Sequence, residues 1–517
     1  MTHPARHAQL TPDKLAVQFV PSGATLTYAE LDRAANQVAR FLQSAGIQPG
    51  DAVVFCLENG PRFLQASWGC QRIGVRFTPA STRMGFDELA YIVQDSGAKV
   101  LILSSQTAAA AQATSARLAG VLLFSSGAAL EGFADWTQAI RDVSAAPIAA
   151  TAPGREMMYS SGTTGRPKGV RKPMPVGQFD DPDSRNAGWG VQPGTGRHMV
   201  HLCTSPLYHA APHRCVAATL ATGGTAVIME HFDALLALQS IEQFGVTHSL
   251  WVPTMFHRLL RLPAAQRAAF DLSSHVAAHH GAAPCPIHIK EQMIAWWGPI
   301  FLEYYAGTEG IGACTITSHE WLAHKGSVGR ASDGVIHILD VQEDELPPGE
   351  TGTVFFEISS KFEYWNDPIK TQRSRSRQGW WTYGDIGHVD AQGYLYLTDR
   401  RDFVIITGGV NVYPQEIEDF LIKDARLLDC AVFGIPHDEF GEAVQAVVQV
   451  TPMQMDEATD LADDLKRQCH AALGPIKTPR DIRIVTDFPR MPTGKLHKKA
   501  LRDAFLEQRM PRMESPQ

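Results

Sequence analysis

From Ser160 to Gly169 the chain reads SSGTTGRPKG, which places three glycines, four hydroxyl side chains and a lysine in ten residues. Glycine lets backbone N–H groups turn toward an anion, and Ser and Thr add donors without bulk. The familiar phosphate loop needs Gly-x-x-x-x-Gly-Lys-Ser/Thr. Here Pro167 precedes Lys168 and Gly169 follows it, so the stretch is a phosphate-type loop of another kind. Further along lie YYAGTEG with Thr308 and Glu309, WWTYGDIG with Asp385, TDRRDF with Arg400, and PTGKLHKK with Lys495. A carboxylate is a hard oxygen ligand for Mg²⁺, and it offers two acceptors to two adjacent hydroxyls. An ammonium can orient one anion while stabilising charge that builds on another.

These residues need a scaffold of some size. At 517 residues the chain exceeds a single ordinary core, so at least two domains are expected. A composition of 44% hydrophobic and 19% charged residues excludes a largely disordered or fibrous chain. The net charge of −8 argues against a general nucleic-acid binder. The N-terminus lacks the apolar segment of a signal peptide, and no run of roughly twenty apolar residues predicts a membrane span. The eight cysteines are scattered singly, which fits buried, reduced thiols in a cytoplasmic protein and supports neither a zinc site nor a disulfide framework.

Strand and helix patterns alternate through the first third. TYAELDRAANQVARFLQSAG has helical apolar spacing, Thr27 as its cap and Gly46 as its stop. DAVVFCL reads as a strand, PRFLQASWGCQRIG and GFDELAYIVQDSG as helices, and AKVLIL as another strand. This alternation predicts a mainly parallel sheet covered by helices, and it repeats after the Gly-rich loop. From about Gly326 to Thr398 short strands and turns predict a small β-rich subdomain. The expected class is therefore α/β: two α/β subdomains and a β-rich one over residues 1–401, then a small mobile α+β domain over 402–517. The Ala-rich stretch TAAAAQATSARLAG is read as a surface helix.

Taken in order, SSGTTGRPKG, PLYHAAP, GAAPCP, YYAGTEG, YGDIG, DRRDFVIITGGVNVYPQEIE and PTGKLHKK resemble the adenylate-forming enzymes. These are the acyl- and aryl-CoA synthetases, the adenylation domains of peptide synthetases, and the luciferases. The resemblance covers nearly the whole chain, and within the superfamily it is nearest to bacterial long-chain fatty acid and bile-acid-type CoA ligases. It implies a two-step reaction of fatty acid or lipid metabolism. A carboxylate attacks the α-phosphate of ATP, releasing pyrophosphate, and the thiol of coenzyme A then displaces AMP. The alternatives it leaves open are an acyl-AMP ligase serving a carrier protein, a luciferase-like oxygenase, and a nucleotide-binding non-enzyme on the same scaffold.

By the same resemblance Ser160, Ser161, Gly162, Thr163, Thr164, Gly165 and Lys168 wrap the β- and γ-phosphates. Tyr305 packs on adenine, Thr308 reaches the α-phosphate and Glu309 holds Mg²⁺. Gly281, Ala282 and Ala283 line the adenine and acyl pockets, although such small residues also suit tight packing. Asp385 and Arg400 take the ribose, and Lys495 is the catalytic lysine. Lys498 and Lys499 are expected on a solvated helix face. Asp402 matches the hinge, and Gly408 and Gly409 would let the pantetheine arm pass. His209 either gates the thiol or is structural. His279 and His280 lack the partners of a metal site. The arginines from Arg373 to Arg377 are expected in a solvated loop rather than on coenzyme A phosphates. Ala306 stands where the family has Gly. The region after His209 is neutral until Arg214, which disfavours an amino-acid substrate, while LWVPTMF suits an apolar acid. The expected partners are the acid, ATP and coenzyme A; a homodimer is left open.

Overall fold

A computed structural model describes residues 3–104, 107, 117–127, 129–149, 153–160, 167–178, 196, 198–359, 361–400, 403–408, 410–451, 458–490 and 496–507. The chain divides into two compact units: residues 1–310, 315–323 and 359–372 form the first, and 311–314, 324–358 and 373–517 the second.

In the first unit, the helix Tyr28–Ser44 starts where the sequence places its cap. Thr27 accepts from the Glu30 N–H and the Glu30 carboxylate accepts from the Thr27 N–H at 2.8 Å, a reciprocal capping box. Such a cap contributes about 1 kcal/mol. Leu31, Ala35, Val38, Ala39 and Leu42, spaced three or four apart, form its buried face. The helix Pro61–Arg72 lies close against it: a Cβ on Gly69 would come 2.4 Å from Val38 Cγ1, so only glycine fits there.

Two parallel sheets organise this unit. One runs, in spatial order, Ala134–Asp135, Leu122–Ser126, Ala98–Ser104, Ala52–Cys56, Arg76–Pro79 and Arg155–Glu156, every pairing parallel. The other includes Phe301–Ala306, Ala277–His280, His248–Trp251, Val200–Cys203, Thr225–Met229 and Leu15–Val20, also parallel. Ala52–Cys56 is buried at every position, as a strand covered on both faces must be. A small antiparallel sheet joins Met158–Ser160, Lys168–Arg171 and Glu363–Tyr364.

The second unit holds the antiparallel strands Val335–Leu339, Gly352–Glu357, Asp385–Val389 and Leu395–Arg400. It also holds a mixed sheet of Val410–Val412, Ile405–Thr407, Gly441–Gln449, Asp429–His437 and Asp481–Val485. The helices Pro414–Leu421, Ala458–Leu473 and Lys498–Leu506 belong to the same unit. The protein is thus mixed α/β. Most of the Ala-rich stretch lies outside the described residues. No helix among the described residues is long and apolar enough to cross a membrane.

Candidate active site

Ser160 and Lys168 face each other as paired residues of an antiparallel ladder, so this hairpin fixes both ends of the Gly-rich stretch. Ser161, Gly162, Thr163, Thr164 and Gly165 lie outside the described residues. The Lys168 ammonium is 2.6 Å from Asp367 Oδ2. That hydrogen bond, with one from the Lys370 N–H, holds the Asp367 carboxyl below the usual carboxylate range. The pairing spans 199 residues and no local pattern announces it.

The neighbouring parallel strands Ala277–His280 and Phe301–Ala306 deliver the next two motifs from their carboxyl ends. In an open α/β sheet that is the end at which ligands bind. Gly281 is buried, and a Cβ there would meet Tyr304 O at 2.6 Å and its ring at 2.8 Å, so glycine is required. Ala282 and Ala283 are exposed, and Ala282 holds a left-handed φ of 68°, a conformation an alanine rarely adopts. Strain of that kind concentrates at ligand sites. After the second strand, the Gly310 N–H bonds Gly307 O at 3.2 Å and closes a turn around Thr308 and Glu309. Tyr305 and Thr308 are partly exposed, whereas Glu309 is buried. The Tyr364 hydroxyl donates to Glu309 Oε1 at 2.7 Å. Tyr364 is a site residue that the sequence reading passes over.

A single buried carboxylate oriented by a phenol fits a Mg²⁺ ion that takes its remaining oxygens from phosphates and water. Among the described residues no group of three or more His, Cys, Asp or Glu is placed to hold a metal, His279 and His280 included. His209 caps the helix Ala210–Ala221 with its ring 4.6 Å from that of Tyr208.

In the second unit, Asp385 and Arg400 are cross-strand partners, with Arg400 Nε 3.1 Å from Asp385 Oδ1. Asp385 is buried, and the Arg400 side chain is half exposed. The two residues expected to take the ribose therefore sit side by side. Gly408 has a left-handed φ of 57° between strands. Asp402, Gly409 and Lys495 lie outside the described residues.

Lys498 corrects an expectation. Instead of facing solvent its side chain is only 16% exposed and pairs with the buried Glu418, Nζ to Oε1 2.7 Å, and the Val432 N–H also donates to that oxygen at 2.6 Å. Burial pushes the Glu418 carboxyl up to about 7 against the pull of Lys498, while Glu418 and Asp399 keep Lys498 charged despite burial. The helix Lys498–Leu506 begins at this residue, and the ion pair ties it to Pro414–Leu421. Lys499 is exposed, as expected. Arg373, Arg375 and Arg377 are exposed too; Arg375 lies over the Trp381 ring and Arg377 pairs with Glu343 and Asp344.

Residues 4–360 match the AMP-binding enzyme family and residues 416–495 its C-terminal domain. The chain is 31% identical over 512 residues to the feruloyl-CoA synthase of Amycolatopsis sp, covering 97% of this chain and 98% of that one. It is 30% identical over 511 residues to the long-chain-fatty-acid–CoA ligase FadD13 of Mycobacterium tuberculosis, covering 97% of each. Among solved structures, ATP-bound MatB from Rhodopseudomonas palustris superposes with a TM-score of 0.80 at 27% identity, over 97% of this chain and 99% of that one.

Proposed function

Because the chain belongs to the AMP-binding enzyme family, we propose that it is an ATP-dependent acid–CoA ligase acting on a carboxylic acid with an apolar body. Relatives named for feruloyl and for long-chain fatty acyl substrates agree on acyl-CoA formation and differ in the acid. The observation that carries the reading is the paired delivery of Gly281–Ala283 and Thr308–Glu309 from adjacent strand ends.

In the first half-reaction a carboxylate oxygen attacks the α-phosphorus of ATP, and the bond to the bridging oxygen of pyrophosphate breaks. The protein must bring an anion onto a polyanion, so its contribution is orientation and charge stabilisation. The Gly-rich hairpin and Lys168 take the β- and γ-phosphates. Thr308 donates to the α-phosphate, and Glu309, oriented by Tyr364, would hold Mg²⁺. Once bound, that ion would neutralise phosphate charge. Asp385 and Arg400 take the ribose, and Tyr305 packs on adenine. Lys495 bridges the incoming carboxylate and the α-phosphate, carried by a mobile domain that begins at Asp402. In the second half-reaction the coenzyme A sulfur attacks the acyl carbon and AMP leaves, with Gly408 and Gly409 beside the pantetheine arm and His209 near the thiol's approach.

Acid-dependent exchange of labelled pyrophosphate into ATP tests the first step directly. Wild type is expected to show it, and Lys495→Ala to lose it. Exchange in Lys495→Ala at the wild-type rate would refute the mechanism.

A further inference from the structure

Outside the residues given roles above, a charge cluster in the first unit gathers Arg76, Arg155, Glu156, Arg171, Lys172 and Arg214. Two of its cations are paired: Arg214 Nε is 3.0 Å from Glu156 Oε1, and Arg171 is 3.4 Å from Glu363 while lying over the Trp365 ring. Among the described residues Arg76 and Arg155 donate to backbone, to Lys172 O at 3.0 Å and Pro173 O at 2.6 Å. Among the described residues the Lys172 ammonium has no ion pair and no hydrogen bond. Burial, then Arg214 and Arg155, push Lys172 down to about 7 against the pull of Glu156 and Glu309. Burial acts likewise on Arg76, lowered to about 10. The same cations bring the Glu156 carboxyl down to about 2 although its burial opposes this. The cluster therefore carries positive charge in excess of its own carboxylates, at a desolvation cost that an anionic ligand would offset.

Its position says which ligand. Lys172 Nζ lies 2.6 Å from where a Cβ on Gly310 would stand, immediately after Glu309. Arg214 belongs to the helix Ala210–Ala221 that starts at His209. The cluster thus borders the turn that carries Glu309 and the helix that starts at His209, and Arg171 ends the strand that begins at Lys168, with Lys172 directly after it. With Glu156 and Glu309 flanking it, Lys172 suits a singly charged carboxylate better than a polyphosphate.

We propose that Lys172, Arg155 and Arg214 form an anion subsite for a second carboxylate on the acid, making dicarboxylic acids with an apolar body the substrate class. The inference rests on the acid-activating reading above. Calorimetry on the full chain, with a non-hydrolysable ATP analogue and Mg²⁺ present, would compare α,ω-dicarboxylic acids with their monomethyl esters. Wild type is expected to bind one diacid at least about tenfold tighter than its half-ester, the scale of one hydrogen bond to a charged group. Among the described residues Lys172→Met leaves no ion-pair or hydrogen-bond partner unpaired; it is expected to erase that preference while keeping half-ester affinity and thermal midpoint, and Lys172→Arg to restore it. Equal binding of diacid and half-ester by wild type would overturn the subsite. So would a Lys172→Met variant that keeps the preference and instead loses affinity for the ATP analogue. Acid-dependent pyrophosphate exchange with half-esters alone would leave the ligase reading standing while the subsite falls. Diacid-selective binding with no exchange on any acid would do the reverse.

Discussion

The Tyr364 hydroxyl reaches Glu309 Oε1 at 2.7 Å across 55 residues of chain. Both groups are buried, so the phenol fixes which oxygen of the carboxylate stays available to a ligand. Tyr364→Phe keeps the packing and removes only this donor. It is expected to lower acid-dependent AMP formation by about ten- to a hundredfold and to raise the Mg²⁺ concentration needed for half-maximal rate. A Mg²⁺ titration of wild type and variant checks it; an unchanged titration curve would remove Tyr364 from the site.

Asp385 and Arg400 make a second test possible, because the ribose reading concerns specific hydroxyls. Asp385→Asn is expected to raise the KM for ATP by about ten- to a hundredfold, the scale of hydrogen bonds to a charged group. It should also reduce the preference for ATP over 2′-deoxy-ATP. A variant that discriminates between the two nucleotides as wild type does would contradict the role.

The site was only partly legible in the sequence. The capping box at Thr27 and Glu30 is local, three residues apart, and could be read directly. Asp385 and Arg400 belong to short strands whose turn signals bring them together as a hairpin pair. Tyr364 and Asp367 could not be found this way. Nothing in the pattern around either says that it folds back onto Glu309 or Lys168, and the chain has 11 tyrosines. Lys498 looked solvated because it opens a charged helix. Its burial depends on Glu418, eighty residues earlier, standing over that helix end.

The Lys498–Glu418 pair predicts asymmetric stability effects. Lys498→Met leaves the buried Glu418 carboxyl without its cation, so that it takes up a proton, and is expected to cost about 1–3 kcal/mol in urea unfolding. Adding Glu418→Gln should recover part of that loss. A Lys498→Met variant as stable as wild type would show that the ion pair is not buried in solution.

Buried histidines set an acid limit. His201, His248 and the register position of Ala277 align across neighbouring strands, and His279 follows two residues later. Burial first, and mutual repulsion second, push His201 and His275 down to about 3 and His279 to about 4. Each folded value lies below the unfolded value of 6.5, so the neutral form is favoured by folding. The stabilisation is complete above about pH 6.5 and is lost as pH falls toward 4, by up to about 1.4 kcal/mol per unit for each histidine. Urea unfolding from pH 7 to 4 should show this slope, and His201→Leu should reduce it by about one proton. A flat profile over that range would contradict it.

The most direct test of the central claim follows AMP formation from ATP and Mg²⁺ over a panel of carboxylic acids, each with and without coenzyme A. The panel spans fatty acids of different length, their dicarboxylic counterparts, benzoates, cinnamates and steroid acids. The account predicts that one class turns over strongly, that AMP rather than ADP is the product, and that turnover requires coenzyme A. Pyrophosphate release that coenzyme A leaves unchanged would move the thiol acceptor to a carrier protein, and no AMP from any acid would contradict the ligase assignment itself.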